Sequence, residues 1–244
     1  MTYFKCAFIV FAISFFSGCG AVTLNMASNR FISPEAGAAH FEQGVQGVNR
    51  VTIVPDASAT PPVMNSPSFG GTDEGYFLGA GIGLTKSVEF YFSNDFGGVP
   101  LFGLKFQLLG PAYKDAKEGD FSLSLTGAWG YISQGSDNGS TWEYGKRVTA
   151  EDASVIVGYR VAHMLLLYGG PFSTWYEVQG SVTQPKGAGV SYLYSGKGFQ
   201  KGINAGVELG SVFFLRAELA VVDGEYNSIS RTKLDGGMIT GFQW

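Results

Sequence analysis

The sequence predicts an all-β fold: a transmembrane antiparallel up-and-down β-barrel of about ten strands, with eight as the alternative. Three observations carry this. Segments of about ten residues alternate apolar and polar side chains with period two, as in a strand with one lipid-facing and one lumen-facing side. Charged residues make up 15% of the 244 residues, and the chain holds 36 glycines and 15% aromatics. That charge content lies below the roughly 25% of ordinary soluble domains. Past the N-terminal peptide, no stretch approaches the ~20 apolar residues that a membrane helix requires. A Gly- and aromatic-rich secreted β-sandwich is the competing fold.

The amino terminus reads as an export signal. Lys5 supplies a short positive region, Ala7 to Phe16 an apolar core too short to span a bilayer, and Ser17 and Gly18 the small residues of a cleavage site. Cys19 follows Phe-Ser-Gly, which resembles the bacterial lipobox with Phe16 in place of the usual Leu. That resemblance implies cleavage before Cys19, lipidation of its thiol and acylation of the new amine. Three buried chains anchor far more firmly than one. Gly20 is compatible with delivery to the outer membrane. An ordinary signal peptide with an incidental Cys is the alternative. Cys6 lies in the removed peptide, so the mature chain has no thiol pair for a disulfide. The expected organisation is residues 1–18 signal peptide, 19–39 lipidated tether and 40–244 barrel. Within the tether, Phe31 and Ile32 either dock onto or into the barrel base or belong to a disordered spacer.

The wall is read strand by strand. His40–Val54 places Phe41, Val45, Val51 and Ile53 on one face, Glu42, Gln46 and Arg50 on the other. Pro55–Asp73, with Pro61, Pro62 and Pro67, is a loop. Gly75–Leu84 alternates Tyr76, Leu78, Ala80, Ile82 and Leu84 with Phe77 and glycines. Val88–Ser93 directs Phe90 and Phe92 outward, Glu89 and Tyr91 inward. Leu101–Leu109 directs Phe102, Leu104, Phe106 and Leu108 outward, Lys105 and Gln107 inward. Phe121–Tyr131 has the cleanest alternation. Ala153–Val161 directs Arg160 inward, and Met164–Val178 is kinked or ended by Gly169-Gly170-Pro171. Phe199–Leu209 contributes Glu208, and Phe213–Val221 contributes Arg216 and Glu218. Gln134–Thr149, Gly180–Gly198 and Asp223–Lys233 read as loops. The last strand, Leu234–Trp244, turns Leu234, Met238, Thr240, Phe242 and Trp244 outward and Asp235 inward. It is expected to close the barrel against Phe41–Val54, or against Gly75–Leu84 if eight strands form.

On this alternation, on the turn Gly83–Glu89 (G-L-T-K-S-V-E) and on the terminal Gly-Phe-Gln-Trp, the chain resembles the small outer-membrane β-barrel proteins of Gram-negative bacteria. The resemblance covers roughly Phe41 to Trp244. It implies an outer-membrane location, outer-membrane lipids as surroundings, and an assembly signal at Phe242 and Trp244 read by the barrel assembly machinery. Trp244 stands where that family most often has Phe.

The chemistry is sparse. Glu42, Arg50, Glu89, Lys105, Arg160, Glu208, Arg216, Glu218 and Asp235 form the expected lumen charge network. They either fill the lumen with salt bridges or line a narrow water-filled pore. His40 and His163 both fall near short-turn ends and read as solvated turn residues, which argues against an enzyme of the Ser–His type. The acid pairs Asp115/Glu118 and Glu151/Asp152 read as solvated. No metal-ligand cluster, phosphate loop or dinucleotide fingerprint is present, and no cofactor is expected. The net charge of -4, without a basic run, gives no reason to expect nucleic acid. Trp142, Tyr144, Tyr192, Tyr194, Lys186 and Lys197 fall in expected loops, as a ligand surface or an interfacial girdle. The expected role is non-catalytic, a scaffold or narrow pore. A surface adhesin or ligand-recognition barrel is the alternative, and a lipid-modifying enzyme a distant third.

Overall fold

A computed structural model describes residues 22–53, 55–56, 63–64, 67–70, 73–95, 97–137, 143–184 and 190–244. The strands among them are β1 (Val22–Ala27), β2 (His40–Ile53), β3 (Pro55–Asp56), β4 (Val63–Met64), β5 (Ser68–Phe69), β6 (Asp73–Gly83), β7 (Val88–Asp95), β8 (Leu101–Leu109), β9 (Phe121–Asp137), β10 (Glu143–Ala162), β11 (Leu165–Gln184), β12 (Val190–Gly210), β13 (Phe213–Tyr226) and β14 (Ile229–Gln243). Ten of them, β2 and β6 through β14, form a closed antiparallel ring. The ring closes where β2 pairs with both ends of the sequence of staves. His40–Gln46 runs against Gly237–Gln243 of β14, and His40–Val48 against Asp73–Gly81 of β6. Closure leaves no open sheet edge at this level, so the backbone polar groups are paired without water. The fold is therefore a ten-stranded closed antiparallel barrel, and β14 (Ile229–Gln243), which holds most of the expected Leu234–Trp244, is its closing stave.

One end of the barrel carries short connections: 83–88, 162–165 and 210–213, with a longer one at 109–121 that holds a single 3-10 turn at Tyr113–Asp115. The wall is uneven in height above that end. β7 and β8 have 8 and 9 residues, whereas β9 to β12 have 17, 20, 20 and 21. The tall staves thus run on for about ten residues, roughly 30 Å of strand, past a bilayer-length segment.

The polarity of the wall inverts with height. In the lower half the outward residues are largely apolar, Phe121, Leu125, Val157, Phe213, Leu219 and Met238 among them, and the inward ones include the charged and polar Glu42, Glu89, Lys105, Ser124 and Glu208. In the upper half of β10 and β11 the exposed residues are Glu143, Arg147, Glu151, Glu177 and Gln179. There the inward residues are Val148, Ala150, Tyr176, Val178 and Val182. The change falls at exposed Trp129, Tyr131 and Trp175, the last packed on Phe199 with ring centroids 5.6 Å apart. From Phe121 to Tyr131 is about 34 Å of strand, or about 24–28 Å of height at the usual tilt of 35–45°, which matches the ~25 Å apolar band of a membrane barrel.

Several expectations are corrected. The stretches read as loops at Gln134–Thr149 and Gly180–Gly198 belong largely to β9–β12, and Asp223–Lys233 is a hairpin whose strands meet at Tyr226 and Ile229. Gly169-Gly170-Pro171 neither ends nor shifts β11. The register from Ser154↔Phe172 to Val157↔Gly169 is kept across the gap, and the Gly170 N–H donates to Asn204 Oδ1 at 2.9 Å. Val51, expected on the lipid face, is buried inside. Above Gly47, β2 leaves β14 and pairs instead with β1, from Val48↔Ala27 to Ile53↔Val22.

That diversion follows from composition. Leu24, Met26 and Val51 are too apolar for a polar lumen and too far above the lipid band to face lipid. They join Val99, Val148, Ala150, Tyr176, Val178 and Tyr226 inside the protruding tube, as a small apolar core.

Candidate functional site

Below this apolar storey the lumen is occupied by the chain's own N-terminal segment. Residues 28–39, expected as part of a tether, run from the loop end of the barrel to the short-turn end. The upper end is held where the Ser28 N–H donates to the Gly47 carbonyl at 3.1 Å. The lower end is held by the reciprocal backbone pair of Ala39 and Trp244, at 3.1 and 2.9 Å, and by the Gly83 N–H on the Ala38 carbonyl at 2.9 Å. Gly83 has no Cβ for a reason: one would lie 2.6 Å from the Gly37 Cα and carbonyl carbon, and both neighbours are backbone.

Between these ends many polar groups of the segment meet groups of the wall. Glu218 of β13 accepts the backbone N–H groups of Arg30 and Phe31, at 2.7 and 2.9 Å. The Arg30 guanidinium lies 3.0 Å from Asp152 of β10, hydrogen-bonds Thr174 of β11, and stacks 4.0 Å over the Phe172 ring. Glu35 makes a two-pronged pair with Arg160, whose third nitrogen donates to the His163 carbonyl at 2.8 Å. Lys105 donates to the carbonyls of Ser33 and Glu35, at 3.1 and 2.8 Å, and sits 2.9 Å from Glu89. Ser28 donates to Asp235, which Lys233 also approaches at 2.6 Å. Gln107 accepts the Ala36 N–H at 2.8 Å, and Ser124 donates to the Pro34 carbonyl. Phe31 itself fills a pocket against Phe77, Phe214 and Ile239.

Arg216 is the centre of the lower lumen. Its Nε is 2.7 Å from Glu208, its Nη1 is 2.5 Å from Glu42 and 2.8 Å from the Phe31 carbonyl, and the group lies 4.2 Å over the Phe214 ring. One cation thus joins β12, β13, β2 and the threaded segment. Along the segment the described residues enclose small cavities, among them two of about 10 and 20 Å3. Each is room for roughly one water.

The wall charges read from the sequence separate cleanly. Glu42, Glu89, Lys105, Arg160, Glu208, Arg216, Glu218 and Asp235 all sit buried in the lumen. Arg50 does not join them: it lies in the diverted half of β2, half-buried at the mouth, with Nε 3.2 Å from Asn25 Oδ1. Asp152, read as a solvated acid, is buried against Arg30 because the strand register turns it inward while Glu151 stays exposed. His40 is likewise not a solvated turn residue. It opens β2 with its ring inside, 4.0 Å from Glu42 and 3.8 Å from Glu89. His163 is exposed. Arg30 and Glu35 carry no signal in the sequence because the N-R-F-I-S-P-E-A-G-A-A stretch has no alternation to assign them a side.

Outside the bilayer-level wall, Lys86 and Asp115 pair at 2.9 Å between two short-end connections. Their hydrogen bond and mutual attraction raise the lysine pKa and lower that of the aspartate. At the upper girdle the outer surface holds a cleft of about 470 Å3, lined among others by Trp175, Phe199, Glu177, Lys197, Glu225 and Asn227. It forms because the β13–β14 hairpin stops at Tyr226, while β12 continues above Gly198. Phe242 is exposed and packs on Phe213, with ring centroids 4.3 Å apart, and exposed Trp244 ends the chain beside it. Cys19, Trp142 and Lys186 lie outside the described residues, and of Tyr144 and Tyr192 only the strand positions are described. Among the described residues no three His, Cys, Asp or Glu are placed to hold a metal ion, and no helix is long and apolar enough to cross a membrane.

The architecture is that of a closed ten-stranded antiparallel β-barrel filled by its own amino-terminal segment. No known protein family matches the sequence, and no curated protein does. Among solved structures, the chain is similar to Ail, the attachment invasion locus protein of Yersinia pestis, at 9% identity and a TM-score of 0.38, over 86% of this chain and 99% of that one. It is also similar to the N-terminal β-barrel domain of Pseudomonas aeruginosa OprF, at 11% identity and a TM-score of 0.25, over 86% and 98%. A third similarity is to the outer membrane channel DcaP of Acinetobacter baumannii, at 8% identity and a TM-score of 0.22, over 93% and 99%.

Proposed function

We propose that this protein is a non-catalytic barrel of the bacterial outer membrane, closed to solutes by residues 28–39 and serving as a membrane scaffold. The observation that carries this is the threaded segment, beside which the described residues enclose cavities of about 10 and 20 Å3. A hydrated ion needs several waters around it, and each such site has room for roughly one. The ion pairs favour closure too: to open the lumen, Arg30 and Glu35 must leave Asp152 and Arg160, stranding buried charge on the wall. The absence of catalysis is supported by the histidines. His40 lies among lumen carboxylates, and His163 is in an exposed turn distant in the fold from the outer cleft. Barrel assembly machinery as a partner, with Phe242 and Trp244 as the signal, and lipidation of Cys19 belong to the same reading.

Planar-bilayer recording tests closure. The intact chain is expected to give no stable open level, and deletion of residues 22–39 a steady conductance from the fraction that inserts as a barrel. A steady open level from the intact chain overturns the scaffold reading in favour of a pore. A second reading, surface recognition, is favoured by the outer cleft alone, whose Trp175–Phe199 floor and flanking Glu177 and Lys197 suit an amphipathic ligand at the lipid interface.

A further inference from the structure

We infer that the mature N terminus is displayed on the loop-bearing side of the membrane, opposite to the C terminus, because the chain crosses the membrane once through its own lumen before it builds the wall. The inference rests on the outer-membrane reading above and deepens it.

The argument is one of reach. β1 pairs with the upper half of β2 at the loop end, so Val22 lies beside Ile53, and Ala39 lies beside Trp244 at the short-turn end. The twelve residues from Ser28 to Ala39 cover that distance, and such a length extends at most about 40 Å. The chain that precedes Val22 therefore leaves from the loop end. Cys19 is three residues earlier, a reach of about 11 Å at most. It has too little chain to return to the short-turn side. The lumen offers no return path either, since Arg30, Phe31, Glu35, Lys105, Arg160 and Arg216 already fill it.

In barrels of this class the short turns face the periplasm and the long strands and loops face outward. An acyl group on Cys19 would then be carried on the loop-bearing side, not in the inner leaflet where an N-terminal anchor on the short-turn side would lie. A lipid-modified end carried to the surface by the barrel's own lumen is a display device: the wall holds the crossing and the crossing plugs the wall.

Cysteine accessibility on intact cells tests this. Ala21→Cys places a thiol next to the mature end, and Ser87→Cys places one in an exposed short turn. With a membrane-impermeant maleimide, and counting only labelling above that of the unsubstituted chain, the account expects Ala21→Cys to label on intact cells, and Ser87→Cys only after the outer membrane is permeabilised. If Ala21→Cys is protected and becomes reactive together with Ser87→Cys, or if both label on intact cells, the two ends share a side and the inference is overturned. The unsubstituted chain separates the lipid from the crossing. Its labelling on intact cells would mean a free Cys19 thiol at the surface, which supports the display and removes the acyl group.

Discussion

Arg216 shows how much one side chain can hold in this lumen. Its fork engages Glu208, Glu42 and the Phe31 carbonyl, and its flat face covers Phe214. A guanidinium suits this because its donors are fixed in a plane and it sheds water more readily than an ammonium. Arg216→Ala leaves two buried carboxylates facing one another. Removing one partner of such a group costs about 3–5 kcal/mol, so unfolding in lipid vesicles should shift by that amount. Arg216→Lys should recover only part of it, since one ammonium cannot satisfy the same three acceptors in that geometry. A loss within about 0.5 kcal/mol, the level of an ordinary surface substitution, would contradict the assigned role. At this scale the sequence was informative wherever strict alternation set the side. Glu89, Lys105 and Glu208 were legible as inward because their neighbours are outward-facing aromatics and aliphatics. Asp152 was not, because Glu151 beside it made the pair look like a solvated turn, and only the register of β10 separates the two.

Among the elements, β9 to β12 were half legible. Their lower parts carry apolar residues outward, the pattern expected of a lipid-facing stave. Their upper parts keep the period but exchange the faces, with Glu143, Arg147 and Glu177 outward and Val148, Tyr176 and Val178 inward. Glycines and turn-forming residues obscure that second pattern, so it reads as loop. Physically the exchange is required, since water replaces lipid outside, and the inside must bury β1. The short end is equally specific. Gly83 and Gly37 meet backbone to backbone, with no flexible side chain to yield. Gly83→Val should leave the wall assembled but push residues 36–39 off their seat. Amide exchange at Ala36 and Ala39 is then expected to rise by at least about tenfold while the β10–β11 ladder stays protected, as a local opening would. Unchanged exchange at those two amides would show that the segment is not seated there.

For the whole molecule, the ten-stranded ring and its closure by the last strand followed from periodicity, but the content of the lumen did not. An irregular stretch such as N-R-F-I-S-P-E-A-G-A-A carries no period to say which side of a wall it lies on. Its placement comes from tertiary complementarity: a carboxylate for two backbone N–H groups, Arg30 for Asp152, Glu35 for Arg160. Wall and segment therefore depend on one another, because either alone exposes unpaired charge to a low-dielectric interior. The most direct test is a disulfide between the segment and the inner wall. Ser28 contacts Asp235 inside the barrel, whereas Met238 on the same strand points outward. The double variant Ser28→Cys/Asp235→Cys should oxidise to an intramolecular disulfide in the folded protein, and Ser28→Cys/Met238→Cys should not. Failure of the first pair to form, or equal formation by both, would contradict a lumen filled by the chain's own amino-terminal segment.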